Sequence, residues 1–468
     1  MSESSSPHAQ YSNTCNEHLA IMRRTSQQSG AVRMAFRRIF HRAKLSLAFA
    51  VALALPAHGE KAASADAFVD SVGVNVHLHY QDTSYSNFPK VKQALLGLGL
   101  RHVRDGLTDT TWQDYYDRHN ELGQSGIRGI YTTSVTQSDQ LLIDYPTRMK
   151  DNFEGYESPN EYDQSGDPNW PETLAKFVTR LNATVKANSG TSKFPVIGPS
   201  LTSQEAFTRM RGACTFDSAN LHDYFGGHNP GTLGWGSNGY GSLTWNLANV
   251  TAACPGKPVI TTETGYQTDP SLSQGITEEV TAKYVPRVFL EQWRRGIRRT
   301  YLYELVDMPA GFPAGDSKFG LLRSDFSAKP AYSALLNLLH LLSDPGPSYA
   351  GQDLAFTLAG DVANIDHVLF EKRDGTFYLA LWVEEPSYDV NSKKALPVST
   401  HHVVVQFDEG ADVVVHAFGQ SGTVQTTSLP SSATHAIDVT DYVTILELNG
   451  RSQLPVPRPP VMLTPVVH

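Results

Sequence analysis

From residue 72 to residue 307 the chain alternates short apolar segments with longer amphipathic ones. The short segments are VGVNVHLH (72–79), RHVRDG (101–106), IRGIYTT (127–133), DNFEGYES (151–158), FPVIGPS (194–200), SANLHDYF (218–225), PVITTE (258–263) and RTYLYELVD (299–307). Between them, runs such as FPKVKQALLGLG, ETLAKFVTRLNATVKAN and EEVTAKYVPRVFLEQWRRG place apolar residues at helical spacing. A strand followed by a helix, eight times over, buries all its apolar faces most economically as a (β/α)8 barrel. After KPAYSALLNLLHLLSDPG the period drops to two, in TFYLALWVEE, HHVVVQFDE, DVVVHAF and TILELNG, with Gly and Asp at the turns. That pattern predicts an all-β sandwich. The expected division is a barrel over 66–345, a sandwich over 346–450, and a Pro-rich tail over 451–468 that forms a strap or stays disordered.

Composition agrees with two domains, one of them large: 468 residues at 40% apolar and 10% aromatic content can bury a sizeable core. The net charge is −9, but residues 1–59 carry seven Lys or Arg against two acidic residues, which leaves −14 on the remainder. An acidic body disfavours nucleic acid and anionic membrane as partners. The cationic start, FRRIFHRAKLSLAFAVALALPAHG, has the layout of a secretory signal peptide, with an apolar run from Leu45 to Leu55 that is too short to span a membrane. Met22 and Met34 are alternative starts, an uncleaved anchor helix is the alternative fate, and the expected mature protein begins near Glu60. Removal of the leader takes Cys15 with it. Cys214 and Cys254 then remain, each just ahead of a predicted strand, where consecutive strands starting at one edge bring them within disulfide reach. Two separate buried thiols are the alternative.

Chemistry concentrates at two glutamates. ESPNEYD (157–163) and VITTETGY (259–266) put Glu161 and Glu263 at the ends of predicted strands four and seven, where barrels of this kind present functional residues. Either one alone reads better as a capping or surface carboxylate. Together at one mouth they are the equipment for glycoside hydrolysis, one carboxyl to protonate the leaving oxygen and one to attack or activate water. Their repulsion and unequal desolvation would separate their protonation states. The long Gly-rich loop 225–245 adds Trp235, Tyr240 and Trp245 as surfaces for sugar rings. Trp170, ahead of Pro171, is expected to pack at a helix start, and RRGIRR (294–299) to be a solvated face.

PNE at strand four, HDY at strand six and TTETGY at strand seven, on an eightfold βα pattern with a trailing sandwich, resemble the retaining glycoside hydrolases of clan A. The resemblance covers residues 66–450 and is strongest to bacterial members with a C-terminal sandwich, in the neighbourhood of families 39, 5 and 30. It implies Glu161 as general acid/base and Glu263 as nucleophile. It also implies Asn160 on the sugar 2-hydroxyl, Arg104 keeping the nucleophile ionised, Tyr224 hydrogen-bonded to it, and His222 two residues away on the same strand face. His77 belongs to a strand one of the kind seen in such relatives. Many of them end strand eight with a tryptophan under the sugar; here YLYELVDMPAGF places Tyr303, Glu304 and Asp307 instead, and the two acids would bind hydroxyls or form salt bridges within the rim.

The function so implied is that of a secreted or periplasmic retaining β-glycosidase, a monomer acting on a polysaccharide or oligosaccharide without a cofactor. Two rivals stand beside it. His77, His79, His222 and Asp307 imitate the ligands of a metal-dependent amidohydrolase-type barrel, although FPVIGPS offers no strand-five ligand. A secreted carbohydrate-binding protein without catalysis is the other.

Overall fold

The computed structural model describes residues 59–449, apart from 310, 311, 313, 314 and 316. The predicted leader, Cys15 and the Pro-rich tail lie outside the described residues. Eight strands form the barrel: β1 (Val72–Asn75), β2 (His102–Gly106), β3 (Arg128–Thr132), β4 (Phe153–Glu157), β5 (Val196–Ile197), β6 (Ala219–His222), β7 (Val259–Thr264) and β8 (Thr300–Leu302). All neighbours are parallel, in the order β5-β4-β3-β2-β1-β8-β7-β6, and a parallel bridge between Ile197 and Ser218 closes the ring. One interior layer is built from Ile130, Ile197, Ile260 and Tyr301. The corresponding inward position of β1 is Gly73, where a Cβ would lie 2.5 Å from the Tyr301 ring. The missing side chain is what lets that tyrosine lie across the barrel.

All eight strands occur where the hydrophobic pattern places them. The differences are at their C-terminal ends, because β1, β6 and β8 stop at Asn75, His222 and Leu302, three to five residues before their apolar runs do. The remaining residues of those runs leave the ladder to shape the barrel mouth. The helices follow the 3.6-residue pattern. Trp170–Ala187 buries Leu174, Phe177, Val178, Leu181 and Val185 on one face, with Trp170 packed at its start as expected.

The sandwich comprises β9 (Asp353–Gly360), β10 (Ile365–Glu371), β11 (Phe377–Val383), β12 (His401–Phe418), β13 (Val424–Val439) and β14 (Thr444–Asn449). Two stretches expected to be separate strands are one, β12. Its first half pairs with β9 and its second with β14, and its register against β13 shifts between Gln406 and Val413. β12 thereby links β9 to β14 within one continuous sheet, around a core that includes Leu354, Leu379, Leu381, Val403, Val405, Ile437 and Leu446. β11 is buried along its whole length. Leu379 and Leu381 face the sandwich core, while Tyr378, Ala380 and Trp382 join the barrel's core cluster beside Phe68 and Phe370. An uninterrupted apolar run is what a strand covered on both faces requires. The chain also enters through the sandwich, since Gly59–Lys61 pairs with β9 and Ala63–Ser64 with β10.

Arg294, Arg295 and Arg298 of RRGIRR are exposed, as expected. Arg299 is the exception, drawn under the barrel to Glu154 (2.9 Å) and Asp70 (3.3 Å). No helix among the described residues is long and apolar enough to cross a membrane. Cys214 and Cys254 form a disulfide, with Cα atoms 5.7 Å apart, that joins the approach to β6 to the approach to β7. Closing a loop with a sequence separation of 40 restricts the unfolded chain. Replacing both cysteines by serine should therefore cost about 3–4 kcal/mol, read as a lower denaturant midpoint.

Candidate active site

Arg104, at the centre of β2 and 5% exposed, organises the barrel mouth. All five of its N–H groups have acceptors. Nε and one terminal nitrogen form a fork to Glu157 (2.6 and 2.9 Å), and the remaining donors reach Glu263 (2.6 Å), Asn75 (2.8 Å) and Asn160 (2.6 Å). A planar fork of this kind matches a carboxylate bidentately, which a lysine cannot do. Glu157, the last residue of β4, is fully buried and also accepts from Thr132 (3.2 Å), Asn220 (3.2 Å) and Thr262 (3.0 Å). It is not among the expected site residues. Its signal was parity: Phe153, Gly155 and Glu157 share one face of β4, so a strand-end acid pointed inward and needed a buried cation.

Glu263 lies on β7 with 12% of its side chain exposed, between Arg104 and the Tyr224 hydroxyl, which donates to it at 2.8 Å. Burial pushes its carboxyl up, but the His222 and Arg104 charges and the Tyr224 bond outweigh burial and hold it below the ordinary 4.5. Glu161 is not on the strand, which ends four residues earlier. It sits in a left-handed conformation (φ 41°, ψ 42°), with its N–H donated to Ser200 Oγ at 3.0 Å. Such a backbone persists only where its surroundings hold it.

His222 joins the two glutamates. Its Nδ1 is 2.7 Å from Glu161 Oε1 and 3.5 Å from Glu263 Oε2, and its Nε2 is 3.1 Å from Thr262 Oγ1. The Thr262 hydroxyl proton is committed to Glu157 or Asn220, both of which present oxygen. Thr262 therefore accepts from Nε2–H, which leaves Nδ1 to face Glu161. One proton is thus shared between Nδ1 and the Glu161 carboxyl. Burial pushes His222 down, but Glu263 and Glu161 together raise it above its ordinary value. The facing atoms of Glu161, His222 and Glu263 all lie within 4.8 Å of one another.

The other expected residues have different surroundings. His77 stacks on Tyr80 (4.9 Å between centroids) and meets Tyr303 (5.6 Å), forming an aromatic rim. Its Nε2 lies 3.3 Å from Glu304, which is fully buried and accepts from Tyr85. Asp307 pairs with the buried Lys329 at 2.7 Å. Both strand-eight acids are therefore committed to internal partners. The amidohydrolase ligand set does not assemble, since His77 faces Glu304, His79 faces Asp105, His222 faces Glu161 and Asp307 faces Lys329. The Trp235 ring is taken up by its own loop, stacked on His228 (5.2 Å) and lying over Gly226 and Gly241, with Tyr240 at its edge. Trp245 is buried at the start of helix Leu243–Ala253.

No family model and no curated protein matches the sequence. Solved structures do match the fold. A family 39 glycoside hydrolase from the gut symbiont Bacteroides cellulosilyticus WH2 has a TM-score of 0.52 at 14% identity, covering 82% of each chain. The GH39 enzyme from Xanthomonas axonopodis pv. citri has a TM-score of 0.54 at 16% identity, over 83% of this chain and 95% of that one. A monomeric beta-xylosidase from Caulobacter crescentus CB15 has a TM-score of 0.53 at 14% identity, over 85% and 98%. The chain shares their fold. It has the barrel-plus-sandwich architecture of clan A glycoside hydrolases, and at these identities the likeness is one of architecture.

Two stability predictions come from this network. Glu157→Ala would leave the Arg104 guanidinium buried with a single carboxylate, at a cost of about 3–5 kcal/mol in denaturant unfolding. Asp223, between His222 and Tyr224 in sequence, is fully buried against the Asn246 and Gln292 amides, and burial raises its carboxyl from 3.8 to about 7. The unfolded chain releases this proton near pH 4 while the folded protein keeps it to about pH 7, so stability falls across that window and is flat above it. The stability gap between wild type and Asp223→Asn should accordingly shift by roughly 4 kcal/mol in favour of the variant between pH 4 and pH 7.

Proposed function

We propose that this protein is a retaining β-glycosidase that hydrolyses O-glycosidic bonds of a polysaccharide or oligosaccharide by double displacement. The observation that carries the reading is the pair of carboxylates at the barrel mouth, whose facing oxygens lie within 4.8 Å. Retaining enzymes hold their carboxyl groups about 5–5.5 Å apart, whereas inverting ones need roughly 6.5–9.5 Å to admit water between them.

The environments divide the labour. Glu263, held below its ordinary range, is the nucleophile for the anomeric carbon. Glu161, paired with His222 Nδ1, delivers the proton between them to the departing glycosidic oxygen and then takes one from the water that cleaves the glycosyl–Glu263 ester. Arg104 takes the Asn160 carboxamide oxygen, which turns the NH2 group outward as the donor for a sugar 2-hydroxyl. Both reacting groups come from the chain, so the reaction requires no cofactor. A protein that only binds glycan has no use for a carboxylate held ionised beside a shared proton, which favours the enzyme over the binding reading.

Because the Caulobacter structure is of a beta-xylosidase, β-xylosides stand first among test substrates. The leader-like start and the Cys214–Cys254 disulfide support export to the periplasm or the medium. The monomeric state is carried over from the same neighbour.

The two glutamates should fail differently. Glu161→Ala should lose activity on natural glycan, by at least about 10²-fold, yet still form the glycosyl-enzyme from an activated aryl glycoside and then stall. Added azide should restore turnover there and yield a β-azide. Glu263→Ala should be inactive on both substrates, with azide giving the α-anomer. Near wild-type activity in either variant, or an inverted product from the parent, would refute the assignment.

A further inference from the structure

The sandwich reaches into the barrel mouth. Between β11 and β12 the segment 384–396 forms a small excursion, with Tyr388–Asp389 paired antiparallel to Lys394–Ala395. Its root is held by Arg287, fully buried on helix Glu278–Arg294, which binds Glu384 (2.6 and 3.0 Å) and the carbonyls of Glu385 (3.3 Å) and Asp441 (3.2 Å).

From this root, Glu384 turns to the loop that follows β6. Its Oε1 accepts from the Asn229 amide at 2.7 Å and from the Gly231 N–H at 2.8 Å. Lys393, near the far end, turns to the loop that follows β7. Its ammonium donates to the carbonyls of Leu272, Ser273 (2.7 Å) and Gly275 (3.4 Å). Between these two ties, Gly227 sits where both loops and the excursion meet. A Cβ there would be 2.7 Å from Val390 Cγ1, 2.7 Å from the Gln274 carbonyl and 3.0 Å from Ile276. The loops also hold each other, since the Tyr266 hydroxyl donates to the His228 carbonyl at 2.9 Å. The loop after β6 carries Tyr224 as its second residue, and the loop after β7 starts two residues beyond Glu263, so both leave their strands beside the hydrogen bond that steadies the nucleophile.

We propose that segment 384–396 is a positioning arm of the active site, with Glu384 and Lys393 setting the loops after β6 and β7 and, through them, the Tyr224–Glu263 contact. A hairpin that merely covered the barrel would have its lysine in water. Here the ammonium is spread over three backbone carbonyls of a single loop, and no acid shares it among the contacts of the described residues. The arm's effect on catalysis rests on the glycosidase reading, whereas its effect on the loops does not.

The test uses the full chain with Lys393→Ala, Lys393→Arg and, as a control, Lys394→Ala at the exposed neighbour. Backbone amide exchange over 226–232 and 268–276 should quicken at least about tenfold in Lys393→Ala, the scale of a lost charged hydrogen bond, with barrel strands unchanged. Lys393→Arg should restore most of the protection, and Lys394→Ala should behave as wild type. On a glycan that the parent cleaves, the acid limb of the pH profile of kcat/KM should move to higher pH in Lys393→Ala. Glu263 is faced there by Arg104, His222, Tyr224 and Glu161, and a looser Tyr224 leaves it one bond short. Unchanged exchange in both loops would overturn the arm, and quickened exchange with an unmoved acid limb would overturn its link to Tyr224 and Glu263. Exchange is readable whether or not the protein cleaves glycan, so a parent inactive on every glycan rejects the hydrolase reading alone.

Discussion

One buried guanidinium sets the terms for the rest of the mouth. Arg104 must be surrounded by acceptors because a cation at that depth is costly to leave unpaired. Glu157 meets that need with a bidentate fork and lies deeper than Glu263, so it carries the structural share of the pairing. Glu263 keeps one Arg104 contact and a partly open face. The division explains why two glutamates near one arginine differ in kind: one is locked by five bonds on all sides, and the other is held ionised and left accessible.

The same constraint reaches outward along the backbone. Asn75, Glu157, Asn220 and Thr262 come from four different strands and converge on the Arg104–Glu157 pair or on one another. The barrel strands can therefore stop early and release their last residues into loops without losing alignment at the centre. Thr262 passes the order on to His222, fixing which imidazole nitrogen carries a proton, and His222 passes it to Glu161. A rigid interior thus positions an acid that stands on a turn rather than on a strand.

Much of this was legible in the sequence. Strand existence followed from alternation, and the sandwich from the change to period two, because side-chain direction is tied directly to those periods. Glu161 and Glu263 stood out as acids at the ends of predicted strands, and the resemblance to clan A pointed to Arg104, Tyr224 and Asn160. Other features were not legible. Glu157 lay inside predicted strand four, DNFEGYES, but its buried cation partner Arg104 comes from another strand 53 positions away. The seating of the Trp235 ring on Gly226 and Gly241 of its own loop was not legible either, because a run of loop glycines does not say which of them an aromatic ring covers. The fusion of HHVVVQFDE and DVVVHAF into one strand depends on a register slip that no local periodicity encodes. The anchoring of the barrel-mouth loops by Glu384 and Lys393 joins residues more than a hundred positions apart.

The most direct test of the account is the ionisation of Glu263 in the free protein, followed by carbon-13 NMR of side-chain-labelled glutamate and assigned by the loss of one resonance in Glu263→Gln. Arg104, His222 and Tyr224 should keep this carboxyl ionised to below the ordinary 4.5, so its titration midpoint should lie under that value and rise when Arg104 is replaced by methionine. A midpoint at or above 4.5 in the wild-type protein would contradict the claim that Arg104 prepares Glu263 for nucleophilic attack.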